Sequence, residues 1–155
     1  MKHMKQRSRV LSSREYAHVL RTMPIACVDL VVSHRAQFLL VRRRNRPAKG
    51  KWWFPGGRIL KLETIIRAAR RKLKEETGIQ GGVFGSVLTV KETIFSDSEF
   101  GTTTHSVNVV VPVHLKKLPK RIMTDAQSSD AQWFSRIDPA WSSYIKQMLR
   151  LASFR

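Results

Sequence analysis

The sequence predicts an α/β/α sandwich around a mixed β-sheet, and three observations carry that prediction. Apolar, β-branched runs at Ile25 to Val32, Gln37 to Arg42, Val83 to Val90 and Val107 to Leu115 have the length and composition of strands. Two stretches repeat apolar residues at helical spacing instead. One is Glu63 to Thr77, halted by the C-cap glycine Gly78; the other is the C-terminal segment with Trp141, Tyr144, Met148 and Leu149. The chain has 155 residues, 42% of them apolar and 8% aromatic, enough for one buried core.

In chain order, residues 1–10 are basic and expected to form a flexible terminus, leaving 11–155 as a single domain. Ser12-Ser13 before Arg14-Glu15 opens a helix with Tyr16, Val19 and Leu20 on its apolar face, closed by Pro24. The first two strands are joined by the polar turn Ser33-His34-Arg35, and Arg42 to Gly50 is a charged loop. Trp52 to Pro55 is a short extended piece. Pro55-Gly56-Gly57 reads as a turn, since glycine accepts backbone angles and close approaches that other residues do not. Gly81-Gly82 resets the chain direction, and an irregular loop from Glu92 to His105 separates the next two strands. Lys116 to Arg121 is a basic connector, and Gln132-Trp133-Phe134 is a short strand.

Composition excludes some classes. A single cysteine, Cys27, rules out an intrachain disulfide and a cysteine-cluster zinc site, and inside Ile25 to Val32 it reads as a small core residue. No apolar run approaches the roughly eighteen residues of a membrane span. The early positive charges are followed by no apolar stretch before Met23, so a secretory signal is not expected and a reducing cytoplasm is. Twenty-nine Lys and Arg against eleven Asp and Glu give a net charge of +18 and a pI near 11.3. Such a field attracts nucleotides, nucleic acid or acidic lipid without choosing among them, and a merely basic surface is the simpler reading.

The helix from Glu63 carries the chemistry. On a helical wheel at about 100° per residue, Leu62, Ile66, Ala69 and Leu73 form a core stripe next to Glu76, with Ile65 also inward. Lys72 and Glu75 fall on its flank, while Arg67, Arg70 and Lys74 face solvent. Two adjacent carboxylates thus border an apolar seam, which is unfavourable unless something positive joins them. A divalent cation fits, since Mg²⁺ takes one or two carboxylates plus substrate phosphates, and the Pro55-Gly56-Gly57 turn can add a carbonyl. Arg71, four residues before Glu75, offers an ordinary ion pair instead, and spacing alone leaves both open.

Gly57, five residues, Glu63, seven residues, then Arg71-Lys72-Leu73-Lys74-Glu75-Glu76-Thr77-Gly78-Ile79 resembles the Nudix box, G-x5-E-x7-R-E-U-x-E-E-x-G-U, where U is a bulky aliphatic. Every fixed position matches except Lys72, which stands where the family has Glu. The resemblance implies a Nudix-type α/β/α sandwich and hydrolysis of a nucleoside diphosphate linked to another group, with Mg²⁺ or Mn²⁺ as cofactor. By position, Glu75, Glu76 and the Gly56 carbonyl would be metal ligands, and Glu63 with Arg71 would brace the site. Lys72 cannot ligate a metal while charged. Three roles stay open for it: pairing with Glu76 in place of one metal, holding a substrate phosphate, or marking a site that binds without hydrolysing.

Asn45 to Arg58 (NRPAKGKWWFPGGR) resembles the GDP-mannose mannosyl hydrolase branch of that family, as do Asp29, Arg43 and Thr103-Thr104-His105. That likeness implies a nucleotide sugar as substrate, its phosphates held by the guanidinium forks of Arg43 and Arg58, with Asp29 and Gln127 contacting the ligand. Two departures stand out. The branch's general base is a histidine after a glutamine, but here Ser128 follows Gln127 and no histidine occurs after His114. Glu75, missing from that branch, is present. Attack at carbon therefore stays open beside attack at phosphorus, with Asp125, Asp130, Glu75 or His105 as candidates to assist water. Of Trp52, Trp53 and Phe54, core packing accounts for at least two, and Phe95, Phe100 and Gly101 sit in a loop able to close over a ligand. Two other classes are carried forward. One is a non-catalytic nucleotide-binding regulator, and the other is an RNA-associated protein drawing on the basic tail and Arg42-Arg43-Arg44; a homodimer is left open.

Overall fold

Alternation along the central strands builds two cores on opposite faces of one sheet. The computed structural model describes residues 11–155, and the expectation for residues 1–10 lies outside them. The described chain runs α1 (Ser13–Thr22), β1 (Ile25–His34), β2 (Gln37–Arg43), β3 (Trp52–Trp53), β4 (Gly56–Arg58), α2 (Ile65–Thr77), β5 (Val83–Phe84), β6 (Thr89–Phe95), β7 (Thr104–His114), β8 (Ser128–Phe134) and α3 (Ser143–Leu151). At the centre β1 lies parallel to β7 and antiparallel to β2 and β4. β7 adds β5 and β6 on its far side, and β2 adds β3 and β8. The sheet is mixed, as the alternation of strand and helix signals predicts.

Successive side chains of a strand point to opposite faces. Val28, Leu30 and Val32 of β1, with Leu39, Val111 and Val113, pack on Ala68, Ala69 and Leu73 of α2. Val31, Phe38, Leu40 and Val110 face the other way, onto Tyr144, Ile145, Met148 and Leu149 of α3. Each large apolar side chain fully buried this way contributes about 1.5–3 kcal/mol. α1 starts in a capping box: the Ser12 hydroxyl accepts from the Glu15 N–H, and the Glu15 carboxylate accepts from the Ser12 N–H at 2.9 Å. Among the described residues no helix is long and apolar enough to cross a membrane.

Four local expectations are corrected. Gly56-Gly57 is not a turn but the start of β4, paired with Val28 and Asp29. Val83 to Val90 is not one strand, because the chain breaks after Phe84 and resumes pairing only at Thr89. The predicted loop from Glu92 to His105 is therefore shorter, since β6 runs to Phe95 and β7 starts at Thr104. Finally, α2 begins at Ile65 behind the N-cap Thr64, not at Glu63, and Leu62, Ile65 and Ile66 are exposed. Ala68, Ala69, Lys72, Leu73, Glu76 and Thr77 form its buried stripe instead, and Gly78 caps its end in the left-handed conformation, as expected.

Candidate functional site

β4 opens on two glycines, the first of which has no room for a side chain beside β1. A Cβ on Gly56 would run into the Val28 carbonyl oxygen and lie 2.8 Å from Asp29 Oδ1. At Gly57, where φ is +146°, a Cβ would fall 2.6 Å from Cε of Lys72. The missing side chain at Gly57 leaves the space that the Lys72 stem occupies. The wheel placed Lys72 on the flank; in the structure it is buried, 7% exposed.

Its ammonium is 3.2 Å from Glu75 Oε2 and 3.1 Å from Glu76 Oε1, so one cation joins both box carboxylates. The Gly56 N–H donates to the other Glu76 oxygen at 3.1 Å. Glu76 is buried, whereas the Glu75 side chain is 45% exposed. Arg71 donates to both Glu63 oxygens at 2.7 and 2.8 Å, to Glu75 at 3.1 Å and to the Arg58 carbonyl at 2.9 Å. That fork ties the loop before α2 to β4, and it holds the Glu63 carboxyl below the usual range. Burial pushes the Glu76 carboxyl up despite Lys72. Burial works against the Lys72 ammonium as well, yet the two glutamates outweigh it and its pKa rises.

The floor of the site is different. Asp29 lies opposite Gly56 in the β1–β4 register, almost wholly buried, and its Oδ2 accepts from the Tyr144 hydroxyl at 2.6 Å. Burial pushes the Asp29 carboxyl up to about 7, with Tyr144 and Arg43 pulling the other way. Its neighbour Cys27 is pushed up to about 12 by burial and by Asp29, so the thiol stays protonated. Arg43 is steadied by donating to the Pro47 carbonyl at 2.7 Å. The Arg58 guanidinium lies 4.2 Å from the centre of the Tyr16 ring, and Phe100 packs edge-on against that ring at 5.4 Å.

These groups enclose a cleft of about 480 Å³, lined by Asp29, Arg43, Gly56, Arg58, Arg71, Lys72, Glu75 and Gln127 among others. Glu63 and Glu76 stand behind that lining, held by Arg71 and by Lys72 with Gly56. Asp125, Asp130, Ser128 and His105 do not line it. His105 alternates with Thr104 and Ser106 and so points to the other face of β7. Trp53 and Phe54 are core residues that also reach the cleft, and Trp52 packs on Phe134. Sequence reasoning missed Tyr16, Thr93, Thr104, Ser106 and Asn108 as lining residues. A period of two in Thr104, Ser106 and Asn108 was the available signal.

Of the hard oxygens here, those of Glu75 are open to the cleft, whereas both oxygens of Glu76 are engaged, one by Lys72 and one by the Gly56 N–H. A single divalent ion at Glu75 would need water and substrate phosphates to complete its shell. Among the described residues no cluster of three or more His, Cys, Asp or Glu side chains is arranged to hold a metal alone, since Lys72 takes the place of the third box carboxylate.

Comparison with known proteins agrees with this architecture. The chain is 40% identical over 65 residues to the low-salt glycan biosynthesis protein Agl8 of Haloferax volcanii, covering 42% of each chain. It is 31% identical over 107 residues to the human 8-oxo-dGDP phosphatase NUDT18, covering 68% of this chain and 30% of that one. The chain thus spans less than half the length of these relatives. The crystal structure of a MutT NUDIX hydrolase from Burkholderia pseudomallei superposes with a TM-score of 0.68 at 23% identity, over 83% of this chain and 98% of that one. The NUDIX domain model matches residues 23–150, from the start of β1 to the last turns of α3, and the protein belongs to the Nudix family.

Proposed function

We propose that the chain hydrolyses nucleoside diphosphate derivatives, with a nucleotide sugar of the GDP-mannose kind as substrate and one Mg²⁺ as cofactor. The observation that carries this reading is the cleft itself, in which Arg43 and Arg58 share the lining with Glu75, while Lys72 joins Glu75 to Glu76 behind it. Arg43 and Arg58 grip the diphosphate, Arg71 and Glu63 hold β4 against α2, and Glu75, the exposed member of the pair, takes the proton from water. Glu75, Glu76 and the Gly56 carbonyl would hold the ion, which when bound neutralises charge on the phosphates. The relatives support the two halves of the substrate by what they are named for: a nucleoside diphosphate for NUDT18 and glycan biosynthesis for Agl8.

A screen of nucleoside diphosphate sugars, dinucleoside polyphosphates and nucleoside triphosphates with Mg²⁺ tests the reading. Free sugar plus nucleoside diphosphate would mean attack at carbon; sugar phosphate plus nucleoside monophosphate would mean attack at phosphorus. Arg58→Ala should weaken transition-state binding by about 1.5–3 kcal/mol, the range for a hydrogen bond to a charged group. Unaltered kinetics would place Arg58 outside the site. Lys72→Glu should lower stability without metal and enlarge the stabilisation gained on adding Mg²⁺, because three clustered carboxylates repel until a cation joins them. Equal metal responses in the two proteins would remove Lys72 from the ion's surroundings. The Lys72 contacts also favour a second reading, a nucleotide-binding regulator, which binding without turnover across the panel would select.

A further inference from the structure

Cations gather on one face of the molecule, outside the cleft. Arg67, Arg70 and Lys74 stand exposed on the outer arc of α2, while Ala68, Ala69 and Leu73 of the other arc pack in the core. A helix brings residues three and four apart onto one side, so the three form a row about 10 Å long. The Arg70 guanidinium lies 4.9 Å from the centre of the Phe84 ring, which sets the middle of the row beside β5. Phe84 pairs with Val113 of β7, and β7 runs on into a loop that exposes Lys116-Lys117 and Lys120-Arg121. That loop returns to the same helix. Leu115 and Ile122 join the core under α2, and the Met123 N–H donates to the Thr77 carbonyl at 2.9 Å. Row and loop therefore lie side by side around the C-terminal half of α2.

Nothing on this face balances the charge. From Thr64 to Lys74 and from Phe100 to Thr124 the sequence has no Asp or Glu, and residues 1–10 have none to offer. Glu63, just before the row, gives both oxygens to Arg71. Among the described residues none of these seven cations forms an ion pair. A surface of this kind is complementary to a polyanion, either a nucleic-acid backbone or an acidic membrane. A helix that lies on a membrane buries its apolar side there, but the apolar side of α2 is already packed on the sheet. The exposed apolar side chains around the face, Ile66, Val83, Leu118 and Met123, come from three separate segments, and none is aromatic. Aromatic rings anchor proteins at a lipid interface and stack on bases, so neither membrane anchoring nor base stacking is provided for. Backbone phosphates remain. Duplex nucleic acid carries one negative charge per about 1.7 Å of axis, so a row about 10 Å long meets about six of them.

We infer that the outer face of α2, with the loop that follows β7, binds the sugar–phosphate backbone of a nucleic acid without reading its bases. None of the seven cations lines the cleft, so this contact is separate from the substrate reading given above. RNA and DNA present the same backbone phosphates to it.

Fluorescence anisotropy of a labelled single-stranded RNA and a labelled DNA duplex, titrated with the chain across a salt series, tests this. Affinity should fall with salt, and each lost phosphate contact should lower the slope of log affinity against log salt by about 1. Arg67→Gln/Arg70→Gln/Lys74→Gln should therefore lower that slope by about 3, and Lys116→Gln/Lys117→Gln by about 2. Arg67→Lys/Arg70→Lys keeps the charge and should bind like wild type. Arg35→Gln/Arg136→Gln/Arg155→Gln removes as much charge beside α3, on the other face of the sheet, and should keep the wild-type slope. Either oligonucleotide held through the α2 row supports the inference, and the tighter one names the strand form. Equal losses in the two triple variants would mean that net charge alone attracts the ligand, and would overturn it. So would wild-type protein that binds neither oligonucleotide. Binding to phosphatidylserine vesicles with no binding to either oligonucleotide would assign the face to a membrane instead. None of these outcomes touches the substrate reading of the cleft.

Discussion

Two buried acids, Asp29 on the floor of the cleft and Glu76 behind its lining, meet burial with different partners. Glu76 lies at the end of α2 and meets a cation, Lys72, only four residues away in sequence. Asp29 meets a hydroxyl, Tyr144, 115 residues away in sequence. At the helix end Lys72 joins both glutamates, whereas on the β1 floor burial pushes the Asp29 carboxyl up to about 7. The contrast teaches that burial pushes both carboxyls up and that different groups oppose it: a counter-charge one helical turn away at Glu76, and a hydroxyl from a distant helix at Asp29.

The largest expected effect breaks the ionic side. Glu76→Gln leaves a buried Lys72 ammonium with a single exposed partner, which should lower unfolding free energy by about 3–5 kcal/mol. Lys72→Met in the same chain should recover most of that loss, since it removes the stranded charge along with its partner. Denaturant unfolding of wild type, the single variant and the double variant checks this. A double variant no more stable than the single one would show that the pair is not what stabilises the helix end.

Asp29→Asn tests the floor. The Asp29 carboxyl is raised from 3.8 to about 7, so the folded protein binds a proton that the unfolded chain has already released over that range. The sign follows: this group's contribution is fully present below about 4 and is lost as pH rises toward 7. Asn keeps an oxygen for the Tyr144 hydroxyl and cannot titrate, so the stability profile of the variant between pH 4 and 7 should fall less steeply than that of wild type. Parallel profiles would mean that Asp29 stays ionised in the fold.

The same contrast explains what was legible in the sequence. The helix-end network is short-range: spacing put Arg71 within reach of Glu75 and set Glu76 beside them, and the resemblance to the Nudix box added Glu63 as the second partner of Arg71. What spacing could not show was the burial of Lys72, because the space it fills is created by Gly57 on another element. The strands of both cores were visible as apolar runs, whereas most of β6 was hidden beyond Val90: Thr89 to Phe95 alternates polar and apolar residues and keeps little of its surface buried. With Glu92 to Phe95 read as loop, Thr93 could not be placed beside Ser106 and Asn108. The Asp29–Tyr144 bond joins a strand to a helix at the far end of the chain, and neither local pattern points to the other.

The smallest effect is expected at Glu75, the immediate neighbour of Glu76, and it separates stability from chemistry within one helical turn. Both carboxylates touch Lys72 at nearly the same distance, 3.2 and 3.1 Å, so contact distance alone would predict equal costs on neutralisation. Exposure makes them different. The Glu75 side chain is 45% exposed, and water screens its pairs with Arg71 and Lys72, so Glu75→Gln should change unfolding free energy by less than about 1 kcal/mol. Arg71 retains its fork on Glu63, and Lys72 retains Glu76, so neither cation is stranded. Hydrolysis should nevertheless fall by a factor of about 10²–10⁴ if Glu75 accepts the proton of water, as proposed. Unfolding curves and turnover measured on the same preparation decide the matter. A large stability loss would mean that the exposed pair matters as much as the buried one, and undiminished turnover would move the base to another group in the cleft.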